Sequence, residues 1–237
     1  MLGKLTVVGV GPGDPELITM KGLRMLNEAA CIFVPKGREE GSSLALSIVN
    51  EIIDLSGKEI VEAYFPMRKT RGGSADDLDM EWNKTVVSVS DRLRKGIDIV
   101  FITIGDPAIY STFYYLHERL SAVCPDAVVE IVPGVSSINA SAARAGIYLG
   151  IANEKIAVLP ANYMSELRNT LERFDTVVLM KVNKVFGEVR SILEDMGLET
   201  RAVYVSRAGM KEERIFHNLK EVTDEDLNYF SMVIVKK

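Results

Sequence analysis

Val8-Gly9-Val10-Gly11-Pro12-Gly13-Asp14-Pro15 closes an apolar, β-branched run at residues 4–10. The run reads as a buried strand, and the loop after it decides which α/β fold the strand belongs to. Glycine permits positive φ and lets a ligand or another backbone come close. Two glycines one residue apart invite a dinucleotide-binding reading, in which G-x-G-x-x-G leads straight into a helix whose amides face a pyrophosphate. This loop departs from that pattern. The third glycine position holds Asp14, and Pro12 and Pro15 have no N–H to donate. A rigid, donor-poor loop makes a weak phosphate cradle. What remains is a tight strand-to-helix turn or a ligand loop of another kind.

Working outward, strand-like runs recur at residues 32–34, 59–65, 98–104, 128–132, 155–159, 176–181, 201–205 and 232–236. Helical periods lie between them. Trp82, Val86, Val89 and Leu93 step by four, three and four, as do Val185, Val189, Ile192 and Met196, with Gly197 placed to end that helix. Strand–helix alternation predicts α/β layers and a largely parallel sheet in the first half. Toward the end, residues 201–206 and 213–217 flank the turn Ala208-Gly209-Met210, which predicts an antiparallel pair, then a short helix at 224–227 and a final strand. The second half is therefore expected to hold a mixed sheet. Val123-Cys124-Pro125-Asp126 marks a helix end followed by proline, and divides the chain into an N-terminal α/β domain, 1–122, and a C-terminal one, 123–237.

Two more segments follow strands and carry chemistry. Thr103-Ile104-Gly105-Asp106-Pro107-Ala108-Ile109-Tyr110-Ser111-Thr112 precedes a helix at 113–120. Ligands of α/β sheets bind at such carboxyl ends. Asp106 offers a carboxylate, Tyr110 a ring and a phenol, and Ser111 or Thr112 a helix cap; the alternative is a capped turn with Asp106 bonding nearby backbone. Val132-Pro133-Gly134-Val135-Ser136-Ser137-Ile138-Asn139-Ala140-Ser141-Ala142-Ala143 ends a strand and opens a helix of small residues, with Ser136 as a cap. Its small side chains suit close ligand approach or tight helix packing.

Composition narrows the functional classes. With 47% hydrophobic and 26% charged residues over 237 positions, the chain is ordinary for a globular protein. A net charge of −5 gives no bulk attraction for nucleic acid or a membrane surface. Cys31 and Cys124 are far apart and form no C-x-x-C pair, which fits reduced thiols in the cytoplasm. His117 and His217 are too few for a histidine-rich metal site, so no protein-held metal is expected. No leader-like segment opens the sequence, and no apolar run approaches the roughly 20 residues of a membrane span.

Together and in this order, the three loops resemble the tetrapyrrole methylases, the cobalamin and sirohaem uroporphyrinoid methyltransferases. The family's V-G-x-G-P-G-D stands at 8–14, its G-D-P-x-x-Y-S at 105–111 and its P-G-x-S-S at 133–137, and the resemblance runs over essentially the whole chain. Further stretches resemble the branch that methylates carbon 20 of precorrin-2 or cobalt-factor II. They are Phe33-Val34-Pro35-Lys36-Gly37 with Ser42-Ser43, Phe65-Pro66-Met67, Trp82, Phe113-Tyr114-Tyr115-Leu116, Leu179-Met180-Lys181 and Val205-Ser206-Arg207-Ala208-Gly209-Met210. Two departures stand out. Val34-Pro35-Lys36-Gly37 lacks the acidic residue that other branches carry after the second strand, and Arg68-Lys69-Thr70-Arg71 replaces an acidic continuation.

The resemblance implies two α/β domains of the family's own type, not a Rossmann-like methyltransferase, with S-adenosylmethionine folded up in a cleft between them. It implies that Pro12, Gly105, Asp106, Pro107, Ile109, Tyr110, Ser136, Ser137, Met180, Ala208 and Gly209 line the cofactor pocket. The substrate it implies is a reduced polycarboxylate tetrapyrrole. An acidic protein must hold such a molecule with local cations, for which Lys36, Arg68, Lys69 and Arg71, with Arg38, are the candidates. Asp106 and Tyr110 are the candidate bases for the carbon-20 proton. Methylation of another corrin carbon or of a diphthamide precursor is the alternative within the family. Whether the substrate carries cobalt stays open, and a homodimer is the implied assembly.

Overall fold

The apolar, β-branched run at residues 4–10 predicts one strand, and the computed structural model makes it an interior strand of a five-stranded parallel sheet. The structure describes residues 1–37, 43–65, 75–161 and 164–237, leaving aside the side chains of 75–78 and 164. The chain divides into two compact units, Met1–Ser136 and Ser137–Lys237.

In the first unit, β1 (Lys4–Gly9), β2 (Cys31–Lys36), β3 (Glu59–Tyr64), β4 (Ile99–Thr103) and β5 (Val128–Val132) are all parallel, in the order β3-β2-β4-β1-β5. Helices α1 (Met20–Glu28), α2 (Leu44–Asn50), α3 (Ala75–Arg94) and α4 (Phe113–Val123) cover the sheet. Side chains alternate across a strand, so each face receives its own set. Val8, Ile32, Val34, Val100 and Ile102 pack with Leu26 of α1 and Ile48 and Val49 of α2. Leu5, Val7, Phe33 and Phe101 pack with Trp82, Val86, Val89 and Leu93 of α3 and Phe113, Leu116 and Leu120 of α4. The four-three-four step read in α3 is thus its buried face. Each such side chain contributes about 1.5–3 kcal/mol on leaving water.

The expected division near Val123–Asp126 is corrected here. Cys124 donates its N–H to the Leu120 carbonyl at 2.8 Å, ending α4, and Pro125 stops any continuation. The next element is β5, which pairs with β1 from Lys4↔Val128 to Val8↔Val132. Helix end plus proline therefore marks a connection inside the first unit. β5 belongs to that unit's sheet, and the division falls after Ser136.

The second unit holds α5 (Ser137–Arg144), β6 (Ile156–Pro160), α6 (Leu167–Arg173), β7 (Thr176–Met180), α7 (Phe186–Asp195), β8 (Ala202–Ser206), β9 (Arg214–Phe216) and β10 (Ser231–Lys236). The sheet order is β6-β7-β10-β8-β9. Only β6 and β7 run parallel; β10 is antiparallel to both neighbours, and β8 pairs antiparallel with β9. The mixed sheet and the β8–β9 hairpin follow the sequence reading. Gly197 ends α7 at φ 66°: its N–H reaches the Glu194 carbonyl and that of Leu198 reaches Leu193 at 2.8 Å, a Schellman closure. The core is centred on Tyr204, fully buried, whose hydroxyl donates to the Asp226 carbonyl at 2.8 Å.

Candidate active site at the strand ends

The three loops singled out in the sequence leave three adjacent parallel strands, β4, β1 and β5, at the same edge. Their glycines meet. A Cβ on Gly134 would lie 2.3 Å from the Gly105 carbonyl oxygen and 2.8 Å from that of Gly9. A Cβ on Gly9 would lie 2.6 Å from the same Gly105 oxygen and 2.7 Å from the Gly134 nitrogen. No side chain fits there, so these glycines are steric requirements of backbone packing. Gly11 and Gly105, at φ 79° and 72°, form an isolated antiparallel bridge, with Gly105 N–H donating to the Gly11 carbonyl at 2.7 Å.

The first loop does not run into a helix as a dinucleotide loop does. Buried Pro12 leads to a 3-10 turn at Pro15–Leu17, where the Asp14 carboxylate accepts the Glu16 N–H at 2.9 Å. Only then does α1 begin, capped by Thr19, whose Oγ1 accepts from Gly22 N–H at 3.1 Å. The β3-β2-β4-β1-β5 order also departs from the 3-2-1 arrangement of the dinucleotide fold.

Asp106 ties the second loop to the third. Its Oδ1 accepts the Ala108 N–H at 2.7 Å and its Oδ2 the Gly134 N–H at 3.0 Å. The local-backbone reading of this carboxylate is what the geometry delivers, extended by the bond to Gly134. Pro107 is buried, whereas Ile109 and Tyr110 are 38% and 51% exposed. Tyr110 holds φ 52°, a conformation rare for a bulky side chain and a mark of a site that over-determines its backbone. Of the two proposed caps for α4, Ser111 acts: its Oγ accepts the Phe113 N–H at 3.2 Å, while Thr112 makes no side-chain cap bond. Ser136 is buried at the end of the third loop.

A salt link ties β5 to β1 and α1. Glu130 on β5 binds Lys21 of α1 and Lys4 of β1. Hydrogen bonding from Lys21 and then Lys4 holds its carboxyl down at about 2. On β2 the contrast is Cys31, where burial pushes the thiol up to about 11; it behaves as a small core residue.

In the second unit the candidate residues sit at or just beyond the ends of β7 and β8, with Ser137 apart from them at the start of α5. Partly buried Met180 ends β7, its carbonyl accepting Ala161 N–H at 2.8 Å. Ser137 opens α5. Ala208 is buried, and Gly209, at φ 76°, donates its N–H to Glu213 Oε2 at 2.7 Å. Glu213 is gripped by Arg144 of α5, with Nε–Oε distances of 2.8 and 3.0 Å. That fork holds the 206–213 turn in place. Sequence reading gave no hint of the Arg144–Glu213 clamp, nor of Lys181 and Arg207 at φ 60° and 52°, because neither residue type favours that backbone region.

The proposed substrate cations fare differently. Lys36 is largely enclosed and paired with Glu62 of β3 at 2.9 Å, so its charge is already met. Arg68, Lys69 and Arg71, with Arg38, lie outside the described residues. Among the described residues no cluster of three metal-ligating side chains occurs, and no helix is long and apolar enough to cross a membrane.

A family model for the tetrapyrrole (corrin/porphyrin) methylases matches residues 4–223. The chain is 36% identical to a cobalt-precorrin-2 C(20)-methyltransferase of Salmonella typhimurium, covering 100% of this chain and 98% of the relative. It is 34% identical to a probable cobalt-precorrin-2 C(20)-methyltransferase of Methanocaldococcus jannaschii, covering 100% and 97%. Among solved structures, a cobalt precorrin-4 methyltransferase shares the fold at a TM-score of 0.75 and 24% identity, over 98% of this chain and 94% of that one. A uroporphyrin-III C-methyl transferase from Thermus thermophilus, solved with S-adenosylhomocysteine, does so at 0.65 and 22%, over 99% and 98%. The family model and the full-length relatives agree, and the chain belongs to the tetrapyrrole methylase family.

Proposed function

We propose that the protein methylates carbon 20 of a precorrin-2-type tetrapyrrole, using S-adenosylmethionine. The observation that carries this reading is end-to-end similarity to relatives named for that reaction. Both names specify the cobalt-bearing compound, so cobalt-precorrin-2 is the first substrate to offer.

The residues suit such a cofactor. The meeting of Gly9, Gly105 and Gly134 leaves backbone rather than side chains at the strand ends. Ile109 offers an exposed apolar wall. In the second unit Met180, Ala208 and Gly209 offer an apolar contact beside small residues. We assign cofactor binding to Pro12, Gly105, Asp106, Pro107, Ile109, Tyr110 and Ser136 in the first unit, and to Ser137, Met180, Ala208 and Gly209 in the second. When bound, the cofactor supplies a sulfonium methyl that is electrophilic as it stands. Carbon 20 of a reduced tetrapyrrole is enamine-like and nucleophilic unaided, so the chain's own work is alignment and exclusion of water. Asp106, with one amide on each oxygen, serves as a positioning residue that locks the second and third loops. Tyr110 is the candidate to accept or relay the carbon-20 proton.

The test is a methyl-transfer assay with labelled S-adenosylmethionine, offering metal-free precorrin-2 and the cobalt compound side by side, with product NMR. Label on carbon 20 of the cobalt compound alone is expected. Label on the metal-free compound alone changes the substrate, and label at another carbon, or none, overturns the carbon-20 reading.

A further inference from the structure

A tetrapyrrole with many carboxylates needs cations, and Lys36 is occupied by Glu62. The second unit offers others at an unusual place. β7 and β8 flank β10 and run antiparallel to it, so their carboxyl ends lie on either side of the segment that leads into β10. Each strand leaves the sheet through a cationic residue in the left-handed region, Lys181 at φ 60° and Arg207 at φ 52°. The Lys181 N–H donates to the Ser231 carbonyl and the Arg207 N–H to that of Phe230, both at 2.7 Å. Glycine would adopt these conformations more readily, yet both positions carry long cationic side chains. Retained strain of this kind collects at ligand sites.

The segment between them is aromatic and open. Tyr229 and Phe230 are 56% and 40% exposed, with rings edge to face at 5.3 Å. The Lys181 ammonium lies 5.2 Å over the Tyr229 ring, which leaves its donors available. Among the described residues no carboxylate pairs with Lys181 or Arg207. Two strand spacings separate their backbones, on the order of 10 Å. Lys181 directly follows Met180, and Arg207 directly precedes Ala208, both assigned above to the cofactor.

We infer that Lys181 and Arg207, flanking the Tyr229–Phe230 pair, form a carboxylate-binding ledge that holds one edge of the polycarboxylate macrocycle. The aromatic pair takes the apolar rim of the ring and the two cations take carboxylates of its side chains. The ledge rests on the tetrapyrrole reading and deepens it.

Lys181→Gly and Arg207→Gly test the ledge, because glycine keeps the backbone conformation while removing the charge. The probe is uroporphyrin III, a coloured polycarboxylate tetrapyrrole whose binding is read by absorbance without turnover. Each variant is expected to raise its Kd about tenfold, as loss of a charge-assisted carboxylate bond implies. S-adenosylmethionine affinity and Tm should hold near wild type, and Lys181→Arg should restore most of the binding. Unchanged uroporphyrin III affinity in both glycine variants overturns the ledge, as does failure of the wild-type protein to bind it. If the wild type binds it and the variants do not, but no methyl reaches carbon 20, the ledge stands and the reaction assignment falls.

Discussion

The two sheets place their candidate site residues near strand ends by opposite devices. In the first unit, three parallel strands lead into glycines that meet backbone to backbone, and no Cβ fits at Gly9 or Gly134. In the second, β7 and β8 end in Lys181 and Arg207, side-chain-bearing residues in a conformation that suits glycine. One edge is built by removing atoms and the other by keeping them at a conformational cost. A substitution that ruins one edge should be tolerated at the other, and this asymmetry can be attacked directly.

The largest effect is expected from Gly134→Ala. The new methyl would stand 2.3 Å from a backbone oxygen, so two loops must move apart. We expect a loss of about 3 kcal/mol or more, at the upper end of overpacking, read by chemical denaturation, with cofactor binding abolished. The opposite change, Lys181→Gly, should leave stability within about 1 kcal/mol of wild type, since relief of the left-handed strain offsets the entropy of glycine. Equal losses in both variants would erase the distinction between the edges.

Next comes Asp106→Ala, which strips the Ala108 and Gly134 amides of their acceptor. A cost of about 1.5–3 kcal/mol follows from losing hydrogen bonds to a charged group. Asp106→Asn keeps one acceptor oxygen and should fall between. For a positioning residue, stability and cofactor affinity drop together across the series. A fall in kcat alone, with Tm and cofactor Kd held, would make Asp106 the base instead.

The acid limb tests the salt link of the first unit. Glu130 is held well below the ordinary carboxylate range by Lys21 and Lys4. A depressed carboxyl lends stability that is present above its unfolded pKa and lost as pH falls through about 2. The Tm deficit of Glu130→Gln should therefore be full near neutrality, shrink below the ordinary glutamate range and vanish near the folded value. Half-exposed lysines and solvent screening keep the effect small. A deficit that stays constant down to that pH would show that the glutamate contributes through packing rather than charge.

How much of this was legible follows from the same contrast. Strand runs were read well because an apolar, β-branched run is a local signal: residues 128–132 match β5 in full, and the Trp82-Val86-Val89-Leu93 step is the buried face of α3. The glycine loops were visible as glycines, but not that Gly9, Gly105 and Gly134 meet, since that depends on β1 lying between β4 and β5. The division of the chain was misplaced for a related reason. Pro125 announces a break, yet only the pairing of β5 with β1 says which sheet claims the next strand. The left-handed backbones of Lys181 and Arg207 and the Arg144–Glu213 clamp left no trace, because long-range pairing imposes those backbones and contacts.

The smallest effect carries the opposite sign. Gly187 lies in the first turn of α7, its φ is ordinary, and a Cβ there meets nothing within 4 Å. Alanine loses less backbone entropy on folding than glycine and costs a helix less, so Gly187→Ala should stabilise the protein by about 0.5–1 kcal/mol, toward the lower figure this close to the helix start. The substitution is chemically the one proposed at Gly134; only the neighbours differ. A small rise in the denaturation midpoint at Gly187, beside a collapse at Gly134, would show that the loop glycines are held by the backbones they touch. A loss at Gly187 would instead mean that this open face of α7 is covered in the working protein, and would direct attention there for a contact that the single chain does not make.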